Sequence, residues 1–236
     1  MKLSISDDIF EKYPTLNLGV VFAKNIDNTG EKTEVLTMLN DQVKTIASTY
    51  ELDTLKDLPK LQSWRQAYAD FGAKPKKYTC SVENLHRMIL EGVSLQHINT
   101  LVDIYNYISL KHMVPVGGDD LDKIDGNITL KFATGSEPFV RLNSDEIDYP
   151  KIGEVIYTDD REVLCRRWNW RESDKSKMTE QTKNVALVIE GLAPVTAADV
   201  QLITQELAGL VEKYCGGSTS THLLNSGSRE LELNQL

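Results

Sequence analysis

Two adjoining stretches decide the fold: residues 87–110, RMILEGVSLQHINTLVDIYNYISL, and residues 114–133, VPVGGDDLDKIDGNITLKFA. In the first, Leu95 to His112 places Ile98, Leu101, Val102, Tyr105 and Ile108 on one stripe at helical spacing, with Leu110 continuing nearby. Pro115 and Gly117–Gly118 end that helix. Beyond them the period changes from helical to alternating. NITLKFA, PFVRL, GEVIYTD, EVLCRRW and NVALVIEGL each read as a strand, separated by turn residues such as Asp125–Gly126 and Asn143–Ser144. Strands this closely spaced pair antiparallel, so the fold class is α+β: a mostly antiparallel central sheet flanked by helices.

Upstream lie a strand at LGVVFAK and a helix carrying Val35, Leu36, Leu39, Val43, Ile46 and Tyr50 on one face. A second helix spans about 60 to 71. A third, capped by Ser81, runs to Gly92. Downstream, Thr196 and Asp199 fit a capping box that opens a last amphipathic helix, ending at Gly216–Gly217. One domain over 1–216 is expected, with 1–80 as an extension, 81–192 as the core and 196–216 as the final helix. The Ser, Gly, Thr and Asn content after 217 offers little to bury, so 217–236 reads as a mobile tail.

At 236 residues with a formal charge of −9, the chain can build a core without disulfides or metals, and globally it repels nucleic-acid backbone. Basic side chains nonetheless crowd two segments, Lys74, Lys76 and Lys77, and Arg161, Arg166, Arg167, Arg171, Lys175 and Lys177. Either these are local anion-binding patches or they are faces balanced by nearby acids. No apolar run approaches the roughly 20 residues of a membrane helix, and Asp7 and Asp8 interrupt any signal-peptide core. A cytoplasmic protein without a membrane partner is the expectation. Cys80, Cys165 and Cys215 are odd in number and widely spaced, which argues for reduced thiols and against a zinc site. Asp119, Asp120 and Asp122 read as a helix cap or as a cation cluster lacking the spacing of a calcium loop. The sequence has no nucleophile elbow, phosphate loop, zinc-protease motif or dinucleotide fingerprint.

The helix and turn pattern, Arg87, Gly92, Asn99, Val102, Asp103, Asn106 and Tyr107, then Pro115, Asp120, Asp122 and Ile124, resembles the tRNA-editing B3/B4 domain of phenylalanyl-tRNA synthetase β subunits. The likeness resumes at Asp159, Thr182 and Asn184–Val185 and covers about 85 to 192. CRRWNWRESDKSKMTEQT is similar to the form found in standalone B3/B4 proteins. The resemblance implies a B3/B4-like fold and hydrolysis of a mischarged aminoacyl-tRNA ester, with the aminoacyl end of tRNA as partner and no cofactor, metal or DNA. Nothing resembles an aminoacylating core. The synthetase's pocket histidine falls on Gly117, and its glutamate falls near Glu172 if about two residues are inserted before Thr182.

On this footing Glu172 and Thr182 are candidates to orient substrate or water. Asn99, Asn106, Gly117, Gly118, Arg167 and Trp170 are candidates to bind substrate. Gly117–Gly118 either bares backbone N–H groups for an oxyanion or a ribose, or is a simple turn. Trp168 and Trp170, alternating with Arg167 and Arg171 on an expected strand, either stack on a base or fill the core. Asn99, Asp103 and Asn106, at i, i+4 and i+7, line one helix face as structural polar groups or as pocket lining. A trans-acting deacylase, a non-catalytic tRNA or amino-acid binding module, and an interaction scaffold with a vestigial pocket all remain open. Oligomeric state is also open, since an apolar helix face looks the same whether it packs within a chain or between chains.

Overall fold

The computed structural model describes residues 1–233. In chain order the elements are β1 (Lys2–Ile5), α1 (Asp7–Lys12), β2 (Asn17–Lys24), α2 (Thr33–Thr49), α3 (Pro59–Asp70), α4 (Ser81–Leu90), α5 (Thr100–His112), β3 (Val116–Asp120) and β4 (Ile128–Phe132). The second half adds β5 (Phe139–Val140), β6 (Ile147–Asp148), β7 (Val155–Thr158), β8 (Val163–Arg166), β9 (Arg171–Glu172), β10 (Val185–Gly191), α6 (Ala197–Cys215), β11 (Ser218–Leu224) and β12 (Glu230–Glu232).

Two sheets carry the fold. One has four strands in the order β11-β2-β10-β3, all antiparallel; the other has six, β12-β1-β4-β7-β8-β9, in which only β1 and β4 run parallel. The expected α+β class with mostly antiparallel pairing is therefore present, with its strands divided between two sheets. β5 and β6 form a separate ribbon.

The period of β10 divides the core. Val185, Leu187 and Ile189 pack with Leu101, Ile104 and Ile108 of α5 and Val200, Ile203, Leu207 and Val211 of α6. Ala186, on the opposite face, joins Leu18, Val20 and Phe22 of β2 against Leu3, Ile128, Leu130 and Tyr157 of the six-stranded sheet. Each fully buried aliphatic side chain contributes about 1.5–3 kcal/mol, so this double burial explains the near-continuous apolar run of NVALVIEGL.

Helix boundaries follow local capping. At α6 the Thr196 hydroxyl accepts from the Asp199 N–H, 3.2 Å, and the Asp199 carboxylate accepts from the Thr196 N–H, 2.8 Å, which completes the capping box. α5 starts at Thr100, five residues later than its apolar period suggests, because Asn99 acts as its cap. The Asn99 carbonyl oxygen accepts from Val102 N–H at 3.0 Å while its amide donates to the Met178 carbonyl at 3.1 Å. Ile98, expected on the apolar stripe, therefore precedes the helix and is 61 % exposed. Cys80 rather than Ser81 occupies the N-cap position of α4.

The tail is not mobile as expected. β11 extends the edge of β2 and β12 the edge of β1, so two runs with little to bury still complete sheet ladders, and Leu224 and Leu233 anchor them in the core. Residues 234–236 of that tail lie outside the described residues. Among the described residues no helix is long and apolar enough to cross a membrane.

Candidate active site

Pairing across three short strands brings Tyr157, Cys165 and Glu172 into one row on the inner face of the six-stranded sheet. β3 lies opposite. Gly117–Gly118, expected in a turn, is instead the middle of that strand, with Gly117 opposite Val188 and Gly118 opposite Leu187 of β10. Between the sheets is an inner chamber of about 460 Å³, walled by Gly117, Asp119, Tyr157, Trp168, Glu172 and Glu190 among others. An open cleft of about 1180 Å³, measured to its mouth, adjoins it between Asn99, Val102 and Tyr105 on one side and Leu142, Ser173 and Met178 on the other. Glu172 and Gly118 line both spaces.

A Cβ placed on Gly117 would meet only the Glu172 Oε1, at 3.3 Å, whereas one on Gly118 would collide with the Ala186 carbonyl and Leu187. The two glycines thus serve different ends: Gly117 leaves room in front of Glu172, and Gly118 allows β3 to lie against β10. β3 is an edge strand. The N–H of Asp120 points away from β10 to the Ser176 carbonyl, 3.0 Å, and the alternation of an antiparallel ladder turns the Gly118 N–H to that same edge.

Burial raises the carboxyls here. Asp119 and Glu172 are pushed above the ordinary carboxylate range first by burial and then by repulsion between them. Glu190, 2 % exposed, is raised to about 7 by burial, although it accepts from the Tyr157 hydroxyl at 2.6 Å and the Asn169 amide at 2.5 Å. Asp119 and Glu190 were not singled out in the sequence. Their signal is period two, since Gly117 and Asp119 share one face of β3, and Ala186, Val188 and Glu190 share one face of β10.

The other candidates divide. Asn99 lines the open cleft, but as a buried cap its groups are already engaged. Asn106 is half-buried on α5 and is not among the residues lining either space. Thr182 sits behind the wall: its hydroxyl donates to Asp120 Oδ2 at 2.7 Å and accepts from Thr179 N–H at 2.9 Å. It braces the loop whose residues Thr179, Glu180 and Gln181 line the cleft.

Arg167 and Trp170 lie in the β8–β9 turn rather than on a strand, and they line a different cleft with Tyr78, Arg141 and Arg171. Arg167 and Trp168 are both left-handed there, with φ of 48° and 67°, which breaks the expected alternation. Trp168 is fully buried, its ring 5.0 Å from Trp64 and 4.8 Å from Tyr13, the core reading of the two tryptophans. The Arg167 guanidinium lies 3.9 Å from the Tyr78 ring and 4.4 Å from that of Trp170.

The basic segment is largely neutralised inside the chain. Arg166 pairs with Glu154 and Asp148, Lys175 with Asp125, Asp159 and Glu162, and Lys177 with Asp174. Asp120 accepts from the Asp122 N–H at 3.1 Å, the capping arrangement of the acidic cluster, and among the described residues no three His, Cys, Asp or Glu side chains are grouped to hold a metal ion. The three thiols are buried and unpaired.

Comparison with known proteins places this geometry in context. A family model described as the B3/4 domain matches residues 63–216. The phenylalanine–tRNA ligase beta subunit of Fusobacterium nucleatum is 28% identical over 106 residues, 44% of this chain and 13% of that protein. That of Chromobacterium violaceum is 29% identical over 169 residues, 69% of this chain and 21% of that protein. The chain thus spans about a fifth or less of these relatives. An N-terminal fragment of the phenylalanyl-tRNA synthetase beta subunit from Pyrococcus horikoshii superposes with a TM-score of 0.46 at 12% identity, covering 93% of this chain and 49% of the fragment.

Proposed function

Because this chain belongs to the B3/4 domain family, we propose that it is a trans-acting aminoacyl-tRNA deacylase, cleaving the ester that joins an amino acid to the terminal ribose of a tRNA. The observation that carries this reading is the position of Glu172, at the passage between the open cleft and the closed chamber and beside the outward edge of Gly118. The amino-acid side chain enters the chamber while the ester carbonyl rests at the passage. Glu172 takes a proton from water as the water oxygen bonds to the carbonyl carbon. The Gly118 N–H donates to the developing oxyanion. The carbon–oxygen bond to the ribose then breaks, and the proton held by Glu172 passes to the ribose oxygen, which leaves tRNA and free amino acid. A carboxyl raised toward neutrality suits both halves of that transfer. Thr182 is a positioning residue, holding the cleft loop through Asp120.

A second reading, a non-catalytic amino-acid binding module, draws on the internal pairing of Arg166, Lys175 and Lys177, which leaves fewer cations for a phosphate backbone. Incubating the protein with a panel of charged and mischarged tRNAs, and following ester loss, separates the two. Ester loss abolished in Glu172→Gln supports the deacylase; retention of every ester by the wild-type protein removes it. Binding that weakens steeply with salt indicates RNA contact, and salt-insensitive binding indicates a small ligand.

A further inference from the structure

The chamber carries an imbalance that ester hydrolysis does not use. Asp119, Glu172 and Glu190 all line it, and no Lys, Arg or His does. Elsewhere, buried carboxylates meet a cationic partner: Glu154 with Arg166, Glu83 with Arg65, Asp159 with Lys175. Isolated buried charges of one sign are costly and need either protons or a counter-charge. A second observation also points to a missing occupant. The indole Nε1 of Trp168, a fully buried residue lining the chamber, has no hydrogen-bond partner, and neither has the Ser81 Oγ on the same wall. Native interiors leave few such groups orphaned.

The lining is also amphipathic. Ile128, Ala186 and Val188 present aliphatic surface between the carboxylates, and the Tyr157 and Trp168 rings offer π faces to a cation. We propose that this chamber receives the terminal ammonium of an unbranched aminoacyl side chain, so that the substrate class is a primary-amine amino acid of the lysine or ornithine type. The methylene stem lies along Ile128, Ala186 and Val188, while the ammonium donates toward Glu190 and Asp119 and to the Ser81 oxygen. Glu190 lines only the closed side and Glu172 both sides, so the side-chain terminus and the ester are read by different carboxylates. This assignment rests on the deacylase reading for its ester, although the chamber itself is testable without turnover.

Titration calorimetry of the full chain with L-lysinamide, compared with L-norleucinamide, isolates the terminal ammonium because the two ligands share the α-amino group and the stem. Lysinamide is expected to bind at least about tenfold more tightly, a difference of about 1.4 kcal/mol. Glu190→Gln, which keeps the acceptor for Tyr157, and Asp119→Asn are each expected to remove most of that preference, with thermal melting reporting that each variant is folded. Equal affinity for both ligands, binding of neither, or an unchanged preference in both folded variants overturns the proposal. A lysinamide preference in a protein that cleaves no tRNA ester sustains the chamber and removes the deacylase. Ester cleavage without the preference does the reverse.

Discussion

Glu172 Oε1 faces the bare Cα of Gly117 across the mouth of the chamber, so close that a single added methyl carbon would sit 3.3 Å from it, with no other atom in reach. Gly117→Ala is therefore expected to fold normally, with a melting temperature near wild type, while slowing ester cleavage by crowding the passage. Gly118→Ala is expected to cost about 1–3 kcal/mol, because its methyl meets backbone that cannot swing aside. Urea unfolding of the pair checks the contrast. Equal stability of the two variants would contradict this account of β3.

Glu172→Gln keeps the shape of the passage and removes the proton acceptor, so ester cleavage should fall by about 10²–10⁴-fold. The wild-type rate should climb with pH through a range above that of an ordinary glutamate, since the carboxyl is raised and only its ionised form accepts the proton. A pH–rate profile with no rise above pH 5 would sink this role.

Glu190 links the chamber to stability. Its folded pKa, about 7, lies above the model value of 4.5, so its folded form holds a proton that the unfolded chain has lost. That contribution is fully present below pH 4.5 and is lost as pH rises to about 7, worth on the order of 3 kcal/mol at most. Glu190→Gln cannot lose it. The melting temperature of the variant, relative to wild type, should therefore increase between pH 4.5 and 7.5, and a constant difference would refute the assignment.

Arg166 binds Glu154 through Nε at 2.9 Å and Nη2 at 3.1 Å, and both residues are buried. Arg166→Met strands the Glu154 carboxylate, with an expected loss of about 3–5 kcal/mol in urea unfolding. The double variant Arg166→Met, Glu154→Leu should recover most of it. If it does not, the pair does more than balance charge.

Ending the chain at 217 removes β11 from the edge of β2 and β12 from the edge of β1, along with buried Leu224 and Leu233. At about 1.5–3 kcal/mol for each buried leucine, before any ladder bonds, the truncated protein should melt well below the full chain and expose two sheet edges to association. A truncation with unchanged melting temperature would show that the tail is dispensable.

Local chemistry was legible wherever it acts within a few residues. The α6 capping box, the stop of α4 at Gly92, the alternation of β10 and the antiparallel character of the strands all follow from short-range periodicity. Glu172 too was found in sequence order, by resemblance, though nothing local marks it. Tertiary structure decided the rest. Asn99 became a cap because Met178, 79 residues away, accepts its amide. Gly117–Gly118 became strand rather than turn because β10, from about 65 residues further on, supplies the ladder. Arg167 and Trp170 were drawn into a separate cleft by two left-handed residues. The basic segment was neutralised by acids brought in from outside it, such as Asp125 and Glu154. The chamber likewise exists only between two sheets. Its three carboxylates, 119, 172 and 190, are far apart in sequence and share an environment only once both sheets have closed over them, which is where burial and mutual repulsion give them their chemistry.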